Sequence, residues 1–208
     1  AGDSPAVFIN SYQRASKFYY YADTNTYTYS TLKYRMNEFD IRGVERQLLN
    51  DEVVIFHNDK SFGLIKEILL PIPNLDSLTL NSGEKIYYTI VEKYRTYNFL
   101  KIDFEIPDLE SGSEVELPIQ ILNPTGKPLT LESDSMGVKI ATVFYQKGEV
   151  VLYNEVKDIS GLTINDNYST KIRLKAPLEA GEYYCKVVIR SGWMSPGLNS
   201  RIQKVNIK

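Results

Sequence analysis

The pattern of hydrophobic and polar positions changes near residue 60. Before that point, short apolar runs alternate with segments whose apolar residues recur at helical spacing. Three strands are predicted, over Ala6–Ile9, Tyr27–Tyr29 and Glu52–His57. Strands and helices that alternate over so few residues are the signature of a small parallel α/β unit.

Two helices are predicted between these strands. Ser11 stands where it would cap a helix through Ala22, in which Tyr12, Ala15, Tyr19 and Ala22 recur at helical spacing. Asn37 would cap the second helix, and Gly43 weakens its first turns. Ile41, Val44 and Leu48 are expected to share one face of that helix.

No helical period returns after Gly63, and strand patterns separated by turn-forming residues follow one another to the end of the chain. The predicted strands are Ile65–Ile72, Lys85–Glu92, Phe99–Ile106, Glu114–Leu122, Val138–Tyr145, Glu149–Val156, Thr170–Leu174, Tyr183–Ile189 and Ile202–Ile207. Seven or eight such strands beyond residue 98 favour a β-sandwich. In that region Tyr183 stands two residues before Cys185, which is the spacing of the tyrosine corner in immunoglobulin-like domains.

These patterns together predict an α+β protein. A small β-α-β-α-β unit is expected over residues 1–62, connecting β-strands over 63–97, and an antiparallel immunoglobulin-like β-sandwich over 98–208. A fold of this kind says little about function, which has to be argued from particular residues.

Composition and charge remove several classes of function. The formal net charge is -2, and the lysines and arginines are scattered singly, so no basic stripe indicates a nucleic-acid partner. The longest apolar runs, such as Val53–Phe56, are far below the ~20 residues that a membrane-spanning helix needs. No two of the 12 glycines are closer than five positions, so neither a dinucleotide fingerprint nor a phosphate-cradling loop is present.

The residues that could carry catalysis are few. One His and one Cys cannot supply a zinc site, and any Ser or Cys triad would depend wholly on His57. We expect His57 to be structural and Cys185 to be a buried thiol on a strand. Glu38, Asp40 and Glu45 cluster, and paired acids can hydrolyse glycosides, but acids on a short helix are usually solvated or face its N-terminal dipole. The sequence therefore predicts no catalytic constellation, no metal and no cofactor.

Aromatic residues are the other conspicuous feature. Seven of the 16 tyrosines precede residue 35, and a tyrosine suits sugar rings and protein interfaces alike. We expect Tyr19 to pack inward and Tyr20 and Tyr21 to cover the joint between the two halves. Trp193 follows Ser191-Gly192 in a loop at one end of the predicted sandwich, where it would either contact a ligand or close the end of a core.

Two segments carry a resemblance to a known family. They are Asn10-Ser11-Tyr12-Gln13-x-Ala15-Ser16-Lys17 with Tyr19–Tyr21, and Tyr34-Arg35-x-Asn37-x-Phe39-Asp40. The pattern resembles the soluble region after the last membrane span of bacterial glycosyltransferases of the dolichyl-phosphate-mannose and aminoarabinose transferase type. It covers about sixty residues, and the catalytic acids of those enzymes lie in membrane-adjacent loops that have no counterpart in this sequence.

The resemblance implies an extracytoplasmic, non-catalytic domain of a transferase that uses a polyprenyl-phosphate sugar. Its partner would be the enzyme's own membrane-embedded part, with glycan or the lipid-linked sugar as ligand. Arg14, Arg35, Asn37 and Asp40 would form a polar surface, and the two arginines suit a lipid phosphate best. An internal pair such as Arg35 with Asp40 is an equal alternative.

The rival hypothesis is a free-standing surface or periplasmic module that binds carbohydrate or protein through its sandwich loops and exposed tyrosines. Trp193 would then be part of the binding surface. A hydrolase that uses Glu38 and Asp40 is a weaker third possibility.

Overall fold

The computed structural model describes residues 4–32, 36–57 and 72–208, and within them the chain is mostly β. The strands are β1 (Ala6–Ile9), β2 (Thr26–Tyr29), β3 (Val53–His57), β4 (Asp76–Thr79), β5 (Lys85–Val91), β6 (Lys101–Phe104), β7 (Glu114–Leu122), β8 (Leu129–Thr130), β9 (Val138–Gln146), β10 (Glu149–Asp158), β11 (Thr163–Ile164), β12 (Asn167–Lys175), β13 (Gly181–Ser191) and β14 (Gln203–Ile207). The helices are α1 (Tyr12–Ala22), α2 (Glu38–Arg42) and a short 3-10 helix, Val44–Gln47.

Contacts divide the chain into two compact units. Unit 1 comprises Ala1–Asn98 together with Trp193–Gly197, and unit 2 comprises Phe99–Gly192 together with Leu198–Lys208. Strands β4 and β5, in the region expected to connect the two halves, therefore belong to unit 1. Most of the strand predicted over Ile65–Ile72 lies outside the described residues.

Unit 1 is built on a five-stranded mixed sheet in the order β2-β1-β3-β5-β4. Strand β1 pairs in parallel with β2 and β3, and β5 pairs antiparallel with β3 and β4. Successive side chains of a strand point to opposite faces, so each face has its own apolar cluster. Val7, Tyr27 and Ile55 pack on one face with Leu48. Residues of β1 and β3 on the other face pack with α1.

The helices of unit 1 differ in part from the prediction. Asn37 caps α2 as expected, because its side chain accepts the Phe39 amide while Asp40 accepts the Asn37 amide. The single long helix expected after Asn37 was wrong. Gly43 adopts a left-handed conformation (φ 66°) that ends α2, and the chain continues as the 3-10 helix, which leaves Ile41 exposed. Ser11 occupies the N-cap position of α1 but its side chain makes no capping hydrogen bond.

Unit 2 consists of antiparallel sheets, and the prediction of an all-strand second half is confirmed. Its larger sheet has the order β10-β9-β13-β14, a second has the order β12-β7-β6, and β8 pairs with β11. Alternation is clear on β7, where Leu117, Ile119 and Ile121 are buried between more exposed neighbours. Two antiparallel sheets, each with one buried face, are the architecture of a β-sandwich.

The tyrosine corner is present in unit 2. The Tyr183 hydroxyl donates to the carbonyl oxygen of Glu179 at 3.0 Å, four residues upstream, as in immunoglobulin-like domains. Cys185 lies two residues later on β13 and is buried, as expected. Burial raises the pKa of its thiol to about 12, so the thiolate that a nucleophile requires is not available near neutral pH.

Candidate functional site

The candidate site lies in unit 1 where β1 and β2 end. Parallel strands bring their carboxyl ends to the same edge of a sheet, the usual position of a binding crevice in α/β proteins. Asn10 follows β1 with a positive φ of 51°, a conformation that asparagine tolerates. Its amide oxygen accepts the Thr31 backbone N–H at 2.9 Å, and its amide nitrogen donates to the Thr31 hydroxyl at 2.8 Å. These bonds tie the β1 end to the chain after β2.

Asp40 is the centre of a second set of contacts at this edge. Its carboxylate accepts hydrogen bonds from the Tyr27 hydroxyl at 3.0 Å, the Ser30 hydroxyl at 3.0 Å and the Asn37 backbone N–H at 2.9 Å. The Asn37 side-chain amide in turn donates to the Ser30 hydroxyl at 2.9 Å. The two predicted site residues Asn37 and Asp40 therefore form one network, and they hold α2 against the end of β2.

Glu45, in the 3-10 helix, is a buried acid with only 2% of its surface exposed. Its carboxylate accepts the Asn98 backbone N–H at 3.0 Å and a short hydrogen bond from the Thr96 hydroxyl. The Asn98 side chain also donates to the Ser30 carbonyl at 3.3 Å. A buried carboxylate needs such donors, because removing its charge from water without partners is costly.

The two acids shape the electrostatics around them. Burial raises the pKa of Tyr27 and of Tyr94 well above the usual phenol value, and the nearby Glu45 carboxylate raises both further. Both tyrosines therefore stay protonated at neutral pH. A neutral phenol can donate a hydrogen bond, as Tyr27 does to Asp40, but it does not act as a general base there.

His57 ends β3 and is buried, as expected of a structural histidine. Burial lowers its pKa to about 4, so the imidazole is neutral near pH 7. Trp193 lies beside it, with ring centroids 6.1 Å apart, and packs against the unit 1 core together with Met194. The Tyr29 hydroxyl donates to the Ser195 carbonyl at 2.7 Å. Trp193 is therefore partly buried and packs against the unit 1 core.

Of the two arginines predicted to contact phosphate, the structure describes only Arg14. Arg14 lies on α1 and forms an ion pair with Glu84 at 3.0 Å, with both side chains about half exposed. Exposed pairs of this kind contribute little stability, so the guanidinium remains exchangeable with another anion. Arg35 lies outside the described residues. The structure thus brings Asn37 and Asp40 together and places Arg14 and Trp193 elsewhere in unit 1.

The cluster Glu38, Asp40 and Glu45 does not act as one group. Glu38 is exposed, forms an ion pair with Arg42 and accepts the Tyr12 hydroxyl at 3.3 Å. Asp40 and Glu45 are each engaged by hydroxyl and backbone donors, as described above. Such contacts hold a segment of chain in place, whereas glycoside hydrolysis needs one acid that can donate a proton and one that can attack.

Sequence reasoning missed the partners of Glu45. Thr96 and Asn98 lie about fifty residues downstream in an irregular segment, and nothing in their local pattern marks them as buried polar residues. The prediction that Tyr19 packs inward was wrong, and Tyr20 and Tyr21, which were expected to cover the joint between the two halves, are largely exposed. All three are exposed, with 79% of Tyr20 and 81% of Tyr21 accessible.

Metal-binding clusters and membrane-spanning helices are absent from the described residues. Within residues 4–32, 36–57 and 72–208, no group of three or more His, Cys, Asp or Glu side chains could hold a metal ion. In the same ranges, no helix has the length and apolar character that crossing a bilayer requires.

The chain matches no family model and no curated protein. It is similar to the solution NMR structure of the CARDB domain of PF1109 from Pyrococcus furiosus, with 11% identity, a TM-score of 0.32, and coverage of 52% of this chain and 93% of that one. It is also similar to the Pseudomonas fluorescens alkylpurine DNA glycosylase AlkC bound to DNA containing an abasic site analog, with 9% identity, a TM-score of 0.35, and coverage of 54% and 31%. At these scores neither likeness carries an argument about this chain.

Proposed function

We propose that this chain is a non-catalytic, extracytoplasmic domain of a membrane-embedded glycosyltransferase that uses a polyprenyl-phosphate sugar. Unit 1 would position the donor or the acceptor beside the membrane-embedded part, and the chemistry would be carried out there. The sequence resemblance in residues 10–40 suggests this role, and the geometry of unit 1 is compatible with it.

The observation that carries the proposal is that both resembling segments are anchored to the same short stretch of chain after β2. Asn10, from the first segment, bonds to Thr31, and Asn37 and Asp40, from the second, bond to the adjacent Ser30. Residues that are distant in sequence thus fix the chain at the carboxyl ends of β1 and β2. Their polar groups are hydrogen-bonded to Thr31 and Ser30, which suits a preformed scaffold for binding and does not suit a reactive centre.

Within this proposal we assign Asn37 and Asp40 to positioning, and Arg14 and Arg35 to anion contact. Arginine forms bidentate hydrogen bonds with phosphate oxygens and keeps its charge at any physiological pH. Arg14 would exchange Glu84 for the lipid phosphate at little cost, because the pair is exposed. Trp193 is placed in the core by its packing and is not assigned to ligand contact.

The test uses the complete parent enzyme in membranes, with a radiolabelled polyprenyl-phosphate sugar as donor. Arg35→Ala and Arg14→Ala should each lower kcat/KM for transfer by about tenfold, the loss of one charge-assisted phosphate contact. Lys17→Ala is the matched control, because it removes a cation from α1 without removing a proposed contact. Its transfer rate should be unchanged.

The result that would overturn the proposal is transfer at the parent rate for both arginine variants. A parent gene that encodes no hydrophobic spans, and only a secretion leader before this region, would overturn it equally. Thermal unfolding of each variant chain separates a lost contact from a lost fold, because Arg14 is exposed and its removal should leave the melting temperature unchanged.

One observation favours a second candidate, a free-standing carbohydrate-binding or protein-binding module. The rings of Tyr20 and Tyr21 are exposed and stand edge to face, with centroids 5.1 Å apart. Exposed aromatic faces bind sugar rings. Binding of the purified chain to a glycan array, lost in Tyr20→Ala, would support this candidate over the transferase domain.

We further propose that the first half of unit 1 is a small α/β unit of the β-α-β-α-β type. Its support is the parallel pairing of β1 with both β2 and β3, with α1 between β1 and β2, and α2 between β2 and β3. The antiparallel strands β5 and β4 extend that sheet.

A further inference from the structure

Among the described residues, helix α1 covers only part of the width of one face of the unit 1 sheet. Phe8 and Phe56 lie on this face, stacked with centroids 4.9 Å apart, and Phe18 of α1 packs on both. Pairing continues the row to Tyr88 of β5, which stands opposite Phe56. Helix α1 therefore covers β1 and β3 on this face.

On β5 and β4, this face of the sheet carries apolar side chains that α1 does not cover. Ile86, Tyr88 and Ile90 alternate along β5 on this face, and Leu78 of β4 pairs with Ile86. Ile90 is 51% exposed and Leu78 is 39% exposed. We call these four residues the open sheet face. A contiguous exposed apolar surface of this kind marks an interaction site more often than a scattered residue does.

Helix α1 lines one side of the open sheet face. Arg14, Phe18 and Tyr21 recur at spacings of four and three residues, so they share one flank of the helix. The ion pair between Arg14 and Glu84, which lies between β4 and β5, shows that this flank is turned towards β5. By this spacing Tyr21 falls on the flank turned towards β5, whereas Tyr19 falls on the opposite flank together with Tyr12.

Charge indicates what would cover this surface. Helix α1 carries no carboxylate and two cations, of which Arg14 pairs with Glu84 of its own copy and Lys17 is exposed. Two acids lie at the rim of the open sheet face. Asp76 begins β4, and Glu84 immediately precedes β5. Helix α1 is aromatic and basic, whereas the open sheet face is apolar with an acidic rim. The two surfaces are therefore complementary in charge, and the same chain carries both. A two-fold axis would let each copy place its α1 on the other's open sheet face.

We propose that unit 1 associates with a second copy of this chain through the open sheet face and the Tyr21 flank of α1. Tyr20 and Tyr21 of one copy would pack on Ile90 and Tyr88 of the other, and Lys17 would face Asp76 of the other. Tyr88 already satisfies its hydroxyl by donating to Asp76 at 3.0 Å, so its ring can be covered without leaving a polar group unpaired.

The experiment is sedimentation velocity of the full chain over about 5 to 500 µM, the range that resolves micromolar self-association. A concentration-dependent shift to twice the monomer mass is expected. Ile90→Asp should abolish it, and Tyr21→Asp should raise the dimer Kd at least about tenfold. Tyr19→Asp is the matched control, an exposed tyrosine on the opposite flank, and its dimer Kd should equal that of the parent chain.

Far-UV circular dichroism of each variant verifies that it is folded. If Ile90→Asp unfolds, Tyr21→Asp still tests the proposal, because it changes only the surface of a helix. A monomer at every concentration overturns the proposal. If that monomer floats with anionic liposomes, the open sheet face binds a lipid surface instead of a second copy. A dimer equally weakened by Tyr19→Asp also overturns the assigned flank.

Discussion

Both units bury polar side chains, but they satisfy them with different partners. In unit 1 the acceptors are carboxylates, with Asp40 receiving hydroxyl and amide donors and Glu45 receiving Thr96 and Asn98. In unit 2 one buried bridge is a neutral amide, and the buried Arg190 guanidinium pairs with Glu155. Asn199 accepts the Ile189 N–H at 2.7 Å and donates to the Leu100 carbonyl at 3.1 Å. The network around Glu45 should therefore respond to the removal of charge, and the Asn199 bridge to the loss of neutral hydrogen bonds.

Each unit has its own spectroscopic or chemical reporter, which makes the comparison measurable. Trp193 is the only tryptophan of the chain and packs in the unit 1 core. Cys185 is the only cysteine and is buried in unit 2. Tryptophan fluorescence in denaturant follows unit 1, and thiol labelling of Cys185 follows the opening of unit 2.

The largest effect is expected for Glu45→Ala. It leaves the Thr96 hydroxyl and the Asn98 N–H buried without their acceptor, which should lower the free energy of unfolding of unit 1 by about 4 kcal/mol. Denaturant titration followed by Trp193 fluorescence measures it. Glu38→Ala, which removes an exposed acid, is the control and should change stability by less than about 0.5 kcal/mol. Equal losses in both variants would show that Glu45 is not a structural acid.

Asn199→Ala is the corresponding change in unit 2. It removes the bridge between the Ile189 N–H and the Leu100 carbonyl, and about 2 to 3 kcal/mol of unit 2 stability should be lost. Labelling of Cys185 in low denaturant should accelerate accordingly. Asn199→Asp sharpens the comparison, because a carboxylate can still accept from Ile189 but cannot donate to Leu100. Labelling at the parent rate in both variants would contradict the bridging role.

A fall in pH should weaken unit 1 through His57. Burial holds the folded pKa at about 4, below the unfolded value of about 6.5, so the unfolded state takes up a proton first as pH falls. His57 thus costs no stability above pH 6.5, and about 2 kcal/mol is lost between pH 7 and 5. Denaturant titrations at both pH values, read from Trp193, measure this loss. His57→Gln should remove that dependence, since no other histidine is present. If the stability of His57→Gln falls with pH as much as that of the parent chain, other groups cause the pH dependence.

The smallest effect is expected for Arg14→Ala. Its ion pair with Glu84 is exposed, so unit 1 should lose less than about 0.5 kcal/mol. Adding about 0.5 M salt should remove even that difference, because salt screens exposed charges. The measurement is the unfolding midpoint in denaturant with and without salt. A loss above about 1 kcal/mol would place Arg14 among the structural residues.

Strand positions could be predicted from the sequence because alternation is a local property. The pattern at Glu114–Leu122 gave β7 at its observed bounds, and the spacing of Tyr183 and Cys185 predicted the tyrosine corner. The sequence predicted that Gly43 weakens the second helix, but not that the helix ends there. Whether a helix passes through a glycine depends on what the next residues pack against, and Val44 and Leu48 join the core only when the helix has ended.

The candidate site was predictable only in its local part. Asn37 and Asp40 are three residues apart, and the capping arrangement that joins them can be recognised from that spacing. Thr96, Asn98 and Trp193 reach unit 1 from distant parts of the chain, so their roles follow from the fold and not from any motif.

The return of residues 193–197 to unit 1 has a consequence for synthesis on the ribosome. The N-terminal domain of a protein usually folds first, while the remainder is still being translated. Here Ser195, which accepts the Tyr29 hydroxyl, and Trp193 and Met194, which pack with the unit 1 core, are translated only after residues 99–192 of unit 2. The nascent N-terminal segment must therefore wait, incompletely assembled, until unit 2 has nearly left the exit tunnel.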